Sequence, residues 1–172
     1  MRFNKIKSIP KNFILDVDGV LTDGKFYYTE NGKKLKVFGV DDHDALKYIN
    51  KFLLIHIVTA DTSGYDITRR RIIEEMNFPL SLVPVKERAA WISERFSLSE
   101  TIYMGDGIFD PLVFSKVMYS IAPANAIKGT KSKANFVTKS KGGERAVAEA
   151  CIHIIKKFFG VNQKEFYKSI NE

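Results

Sequence analysis

A single cysteine, Cys151, leaves the 172-residue chain unable to form an internal disulfide, so a reducing, cytoplasmic setting is expected. No apolar run approaches the ~20 residues that a bilayer-spanning helix needs, which predicts no membrane partner. The first residues, Met1-Arg2-Phe3-Asn4-Lys5, lack the apolar core and small-residue cleavage site of a signal peptide. Internal repeats and low-complexity tracts are absent as well. Aromatic and basic residues do not interleave in the pattern that stacks bases. The net charge of +7, from 27 basic and 20 acidic side chains, therefore reads as a solvated lysine-rich surface. It is compatible with a small anionic substrate, and no nucleic-acid partner is expected.

What is present is an ordinary globular composition, 45% hydrophobic and 27% charged, over a length that suits one well-buried core. Short β-rich runs alternate with helical stretches, predicting an α/β fold: a Rossmann-like parallel sheet flanked by helices. A single domain is expected over residues 1–160, followed by a polar tail, 161–172. Strands are predicted at 13–17, 53–58, 80–85, 101–104, 118–121 and 135–137. Between the first two, a Thr29-Glu30-Asn31-Gly32 turn joins β-prone runs, predicting a small hairpin over about 25–38. Asp41 or Asp42 is expected to cap a helix whose inner side carries Ala45, Leu46, Ile49 and Phe52. A last helix over 144–159 places Val147, Cys151, Ile154 and Phe158 on one stripe, and Gly160 should stop it.

The densest chemistry lies in Phe13-Ile14-Leu15-Asp16-Val17-Asp18-Gly19-Val20-Leu21-Thr22-Asp23-Gly24, where an apolar run ends in two carboxylates. Asp18 falls where the strand gives way to the loop, so its side chain can swing away from that of Asp16. One aspartate can then attack or bind a cation while the other handles a proton. Thr59, Lys86 and the Asp106–Asp110 pair also follow predicted strands, and the carboxyl edge of a parallel sheet is where ligands bind. A carboxylate nucleophile needs a cation to offset its repulsion from a phosphoryl group. Aspartates, a carbonyl and waters suit Mg²⁺. A hydroxyl and an ammonium would hold the equatorial oxygens, where transition-state charge lies.

The set and its order resemble the four motifs of the haloacid dehalogenase superfamily of phosphohydrolases, roughly from Asn12 to Phe159. That resemblance implies that Asp16 forms an aspartyl-phosphate. Asp18 would protonate the leaving alkoxide, activate the water and lend its carbonyl to the metal. Thr59, Ala60 and Lys86 would bind the phosphate, and Asp16, Asp18 and Asp106 would form the Mg²⁺ site. Asp110 would orient Lys86 or a metal-bound water. With no room for a large cap domain, and with Phe38-Gly39-Val40-Asp41-Asp42 and Lys141-Gly142-Gly143-Glu144-Arg145-Ala146-Val147, the chain looks like the capless group. That group includes the 3-deoxy-D-manno-octulosonate 8-phosphate and nonulosonate 9-phosphate phosphatases. It implies hydrolysis of a small phosphorylated sugar acid by a homotetramer. The sequence departs from the group at Ala60-Asp61, where Gly-Arg is usual, at the acidic Asp41-Asp42-His43-Asp44, and at Gly107, where a second aspartate is usual.

These departures motivate an alternative, a non-catalytic oligomerisation or regulatory module. Retention of Asp16, Asp18, Thr59, Lys86 and Asp106 argues against it. A phospho-accepting receiver domain would place its nucleophile on a later strand than its acidic pair. Elsewhere the structural reading prevails: Cys151 packs in a core stripe, His56 sits on a sheet face, and His153 is exposed on a helix. His43 belongs to an acidic helix start, and Arg69–Arg71 to a solvated helix face.

Overall fold

A computed structural model describes residues 9–161, so the tail expected beyond Gly160 lies almost wholly outside the described residues. Six strands form one parallel sheet: β1 (Asn12–Asp16), β4 (Leu54–Thr59), β5 (Leu80–Leu82), β6 (Thr101–Met104), β7 (Tyr119–Ala122) and β8 (Phe136–Val137). Their spatial order is β5-β4-β1-β6-β7-β8. β2 (Tyr27–Thr29) and β3 (Gly32–Leu35) pair antiparallel as the hairpin. The α/β sheet with its hairpin is the architecture that the alternating pattern predicts. The strand expected over 80–85 is shorter, because Pro84 opens a tight turn over Val85–Glu87.

Alternation along the strands divides the molecule into layers. Phe13, Leu15, Ile55, Ile57, Ile102 and Met104 face α1 (Asp41–Ile49) and α6 (Ala146–Ile154), which continues through Ile155–Phe159 and stops at Gly160, φ +73°. Ile14, Val58, Tyr103 and Ala122 face α3 (Arg88–Arg95) and the short α4 (Pro111–Phe114). Each such aliphatic or aromatic side chain, fully withdrawn from water, contributes about 1.5–3 kcal/mol. The side on which a strand residue points thus decides which helices its neighbour at the carboxyl edge will meet. α2 (Tyr65–Arg69) runs on into a wider turn, Arg70–Glu75, where Arg69, Arg70 and Arg71 pair with Glu74 and Glu75 on the surface. The remaining helix, α5 (Lys128–Lys131), is a single turn before β8.

Two local expectations are corrected. Neither Asp41 nor Asp42 caps its own helix: Val40 takes the cap position without a side-chain bond. Asp42 crosses to α6 and accepts from the Ala148 amide at 2.9 Å, while Asp41 pairs with Arg145. Orphan amides at the start of α6 draw the carboxylate there. His153 is not exposed on the helix surface. It stacks on Phe136 at 3.7 Å between centroids and meets the Tyr119 hydroxyl at 3.0 Å, because β8 is too short to cover that edge of the sheet alone. Cys151 is buried in the α6 stripe, and His56 reaches Ser81 Oγ at 3.0 Å.

The buried Asp42 makes stability depend on pH. Burial pushes its carboxyl up to about 6, against 3.8 ordinarily, despite the amide bonds from α6. The folded chain therefore binds more protons than the unfolded chain between about pH 4 and 6, and stability falls as pH rises through that window. Asp42→Asn keeps an acceptor for Ala148 without the charge. Its melting temperature should match the wild type's near pH 4 and exceed it by about 6–12 °C near pH 7. Scanning calorimetry across that range checks this, and parallel traces for the two proteins would contradict it.

Candidate active site

Asp16 ends β1 in extended conformation, and its Oδ1 accepts from the Val17 amide at 2.8 Å. It shares the Ile14 side of the strand, so it lies over the layer of α3 and α4 rather than over α1 and α6. Arg88, the first residue of α3, meets it there in a two-point bridge: Nη1 to Oδ2 at 2.6 Å and Nη2 to Oδ1 at 2.9 Å. Tyr103 points to the same face from β6. Its hydroxyl accepts from Arg88 Nη1 at 2.9 Å and donates to Asp110 Oδ1 at 2.7 Å. Asp110 also lies 3.4 Å from Arg88 Nη1 and accepts from the Gly107 amide at 2.8 Å. Burial alone would lower the Arg88 pKa, but Tyr103, Asp16 and Asp110 around it hold it firmly charged.

Carboxylate oxygens of Asp16, Asp106 and Asp110 fall within 4.8 Å of one another. Burial, then repulsion from Asp16 and Asp110, pushes the Asp106 carboxyl up to about 7. Asp16 is raised by burial too, with Arg88 opposing. An all-oxygen donor set with more negative charge than Arg88 neutralises is suited to a hard divalent cation. Gly19, at φ +84°, brings the backbone against Asp106, where any Cβ would run into the carboxylate. Asn125 fixes this loop: its Nδ2 donates to the Gly19 carbonyl at 2.9 Å and its Oδ1 accepts from the Gly142 amide at 2.7 Å.

Two residues on, Asp18 turns to the opposite side. Lys36, just after β3, hydrogen-bonds its Oδ2 at 3.1 Å and ion-pairs with Oδ1 at 2.8 Å. The Thr59 hydroxyl, at the end of β4, donates to Asp18 Oδ2 at 3.4 Å and accepts from the Asp61 amide at 3.2 Å. Ala60 continues the chain between them, half-buried. Burial raises the Asp18 pKa while Lys36 opposes the shift. Asp61, where the resemblance leads one to expect an arginine, binds Lys33 at 2.5 Å and Lys36 at 2.8 Å. The hydrogen bonds and charge of those lysines outweigh burial and hold its carboxyl well below the usual range.

The structure therefore gathers Asp16, Asp106 and Asp110 at one point, and Asp18 with Thr59 beside it. Lys86 stands exposed on the turn before α3, its Nζ 5.6 Å from the ring centroid of Phe109, the neighbour of Asp110. Asp110, expected to orient Lys86 or a metal-bound water, is held here by Arg88, Tyr103 and Gly107. Sequence reasoning missed Arg88, Lys36 and Asn125. Arg88 did leave a signal, a charge four residues before Ile92 on the buried stripe of α3. Lys36 and Asn125 left none. His43 is no ligand in this cluster and packs edge-on against Phe78.

A family model of haloacid dehalogenase-like hydrolases matches residues 92–151. The 3-deoxy-D-manno-octulosonate 8-phosphate phosphatase of Yersinia pestis is 32% identical over 151 residues, covering 80% of this chain and 75% of the relative. The cobalt-bound deoxy-D-mannose-octulosonate 8-phosphate phosphatase of Haemophilus influenzae superposes with a TM-score of 0.77 at 28% identity, over 87% of this chain and 89% of that one. A Moraxella catarrhalis phosphatase solved with magnesium, phosphate and sugar superposes at 0.78 with 23% identity, over 96% and 94% of the two chains, a likeness of fold.

Proposed function

Because the chain belongs to the haloacid dehalogenase-like hydrolases and is a phosphoric monoester hydrolase, we propose that it removes phosphate from a small phosphorylated sugar acid through an aspartyl-phosphate on Asp16. The sugar is of the 3-deoxy-D-manno-octulosonate 8-phosphate or nonulosonate 9-phosphate type. One observation carries the reading: two aspartates only two residues apart have wholly different partners, Arg88 for Asp16 and Lys36 with Thr59 for Asp18. Such divided surroundings suit a nucleophile and a proton carrier.

In this mechanism an Asp16 oxygen attacks phosphorus as the bond from phosphorus to the sugar oxygen breaks. Asp18 donates its proton to the departing alkoxide. It then takes a proton from the water that attacks the aspartyl-phosphate, releasing inorganic phosphate and restoring both carboxyl groups. Arg88 opposes the rise that burial imposes on the Asp16 carboxyl and supplies positive charge beside the transferring group. Thr59 offers its hydroxyl, and the backbone at Ala60 its amide, to the phosphoryl oxygens. Asp16, Asp106 and the Asp18 carbonyl would hold Mg²⁺, with Asp110 beside them, and the ion would supply charge neutralisation for the phosphoryl group. The crowded carboxylates and the raised Asp106 fit that ion.

The same reading includes a homotetramer built through the hairpin, where Tyr28 and Leu35 are 64% and 61% exposed. No described helix is long and apolar enough to cross a membrane, and a cytoplasmic setting belongs to this proposal. The test is phosphate release, with Mg²⁺ and after chelation, from 3-deoxy-D-manno-octulosonate 8-phosphate, nonulosonate 9-phosphates and hexose phosphates. Selective, chelator-sensitive turnover of one sugar-acid phosphate is expected. Preference for the hexose phosphates would remove the substrate assignment, and silence on all of them would remove the activity.

A further inference from the structure

We infer that Lys36 is a positioning residue for Asp18, a catalytic strut carried by the hairpin rather than by the sheet. The inference rests on the proton-carrying role proposed for Asp18. The Lys36 side chain is 0% exposed. Its ammonium reaches three residues: Asp18 at 2.8 and 3.1 Å, Asp61 Oδ2 at 2.8 Å and Thr68 Oγ1 at 2.9 Å. An ammonium has three donors and no acceptor. Two bond Asp18 and Thr68, and the Asp61 carboxylate faces the ammonium as well, so its charge is matched within the chain rather than offered to substrate. What remains is orientation.

The surroundings favour that role. Thr68 is itself anchored, donating to the Gly64 carbonyl at 3.1 Å. Asp61 is fixed by the Gly64 amide and the Ser63 hydroxyl, each at 3.1 Å. The Phe26 ring covers the pair, 3.4 Å from Lys33 Nζ and 5.4 Å from Lys36 Nζ at its centroid. Water is excluded on that side, which strengthens the charge interactions beneath. Freed from Lys36, Asp18 would lose the partner that keeps its carboxyl on the Thr59 side of the loop. An arginine in place of Asp61 would repel both lysines, whereas Asp61 ties Lys33 and Lys36 of the hairpin to the end of β4. A misaimed acid costs most where the leaving group needs its proton.

The test compares kcat/KM for 3-deoxy-D-manno-octulosonate 8-phosphate, whose alkoxide must be protonated, with that for p-nitrophenyl phosphate, whose nitrophenolate leaves unaided. Lys36→Met should lower the first by about 100-fold and the second by less than about 5-fold. Thr68→Val removes one anchor at little change of shape and should show the same selectivity at about 3- to 10-fold, so the inference stays open to refutation if Lys36→Met does not fold. Lys33→Met loosens the hairpin at Asp61 without touching Asp18 and should affect both substrates alike. Equal losses for Lys36→Met on both substrates, or selective loss in Lys33→Met, would overturn the inference. Asp18→Asn separates the two layers of argument. Selective loss there without it in Lys36→Met refutes the role of Lys36 alone, whereas unselective loss in Asp18→Asn refutes the proton role itself.

Discussion

Asp16→Asn should lower kcat by about 10,000-fold or more while the protein still folds. An amide oxygen is too weak a nucleophile to displace an alkoxide from phosphorus, so no aspartyl-phosphate forms. The fold should survive for a reason visible in the site. Arg88 keeps Tyr103 at 2.9 Å and Asp110 at 3.4 Å, so the guanidinium is not stranded. Removing the Asp16 charge also relieves the second-largest cause of the raised Asp106 pKa, after burial. A melting temperature within about 5 °C of the wild type is therefore expected. Phosphate release measures the first claim. Mass spectrometry after acid quench of a reaction in progress should find phosphate on the wild type and none on the variant. A variant within tenfold of wild-type turnover would move the nucleophile elsewhere.

Arg88→Met should be damaging twice over. Asp16 and Asp110 are buried against this guanidinium, and deleting one partner of a buried ion cluster costs about 3–5 kcal/mol because uncompensated charge is left behind. At about 2–4 °C per kcal/mol, the melting temperature should fall by roughly 6–20 °C. Catalysis should fall as well, by about 100- to 1,000-fold, since positive charge beside the transferring group is lost. Arg88→Lys restores charge without the two-point geometry and should recover stability in part. Lys86→Met is the informative contrast: an exposed lysine beside one ring should change stability by less than about 0.5 kcal/mol. Phosphate release and thermal melts on all three separate the cases. Full activity in Arg88→Met together with a dead Lys86→Met would put the charge beside the transferring group on Lys86 instead of Arg88.

The contrast between Lys86 and Arg88 shows what local pattern can and cannot carry. Strand content and the edge on which Asp16, Thr59 and Asp106 gather were legible because apolar periodicity reports which residues a sheet buries. The two carboxylates after an apolar run likewise announced where the chemistry concentrates. Asp41 and Asp42 had the composition of a cap, but caps are won in competition. The unpaired amides opening α6 offered Asp42 a better position than its own helix did.

The sequence by itself determined the α/β sheet, the hairpin after its first strand, and the family to which the motifs belong. These follow from periodicity, turn residues and the order of short strings, all of which are local along the chain. Only the tertiary structure decided the partners: Arg88 for Asp16, Lys36 for Asp18, Asp110 for Tyr103, and Asn125 between Gly19 and Gly142. Partnership among buried charges depends on which face of a strand a side chain leaves, on the phase with which a helix begins, and on the net charge that each pocket must balance. Those quantities are set by packing between segments more than 100 residues apart, so no window along the chain contains them.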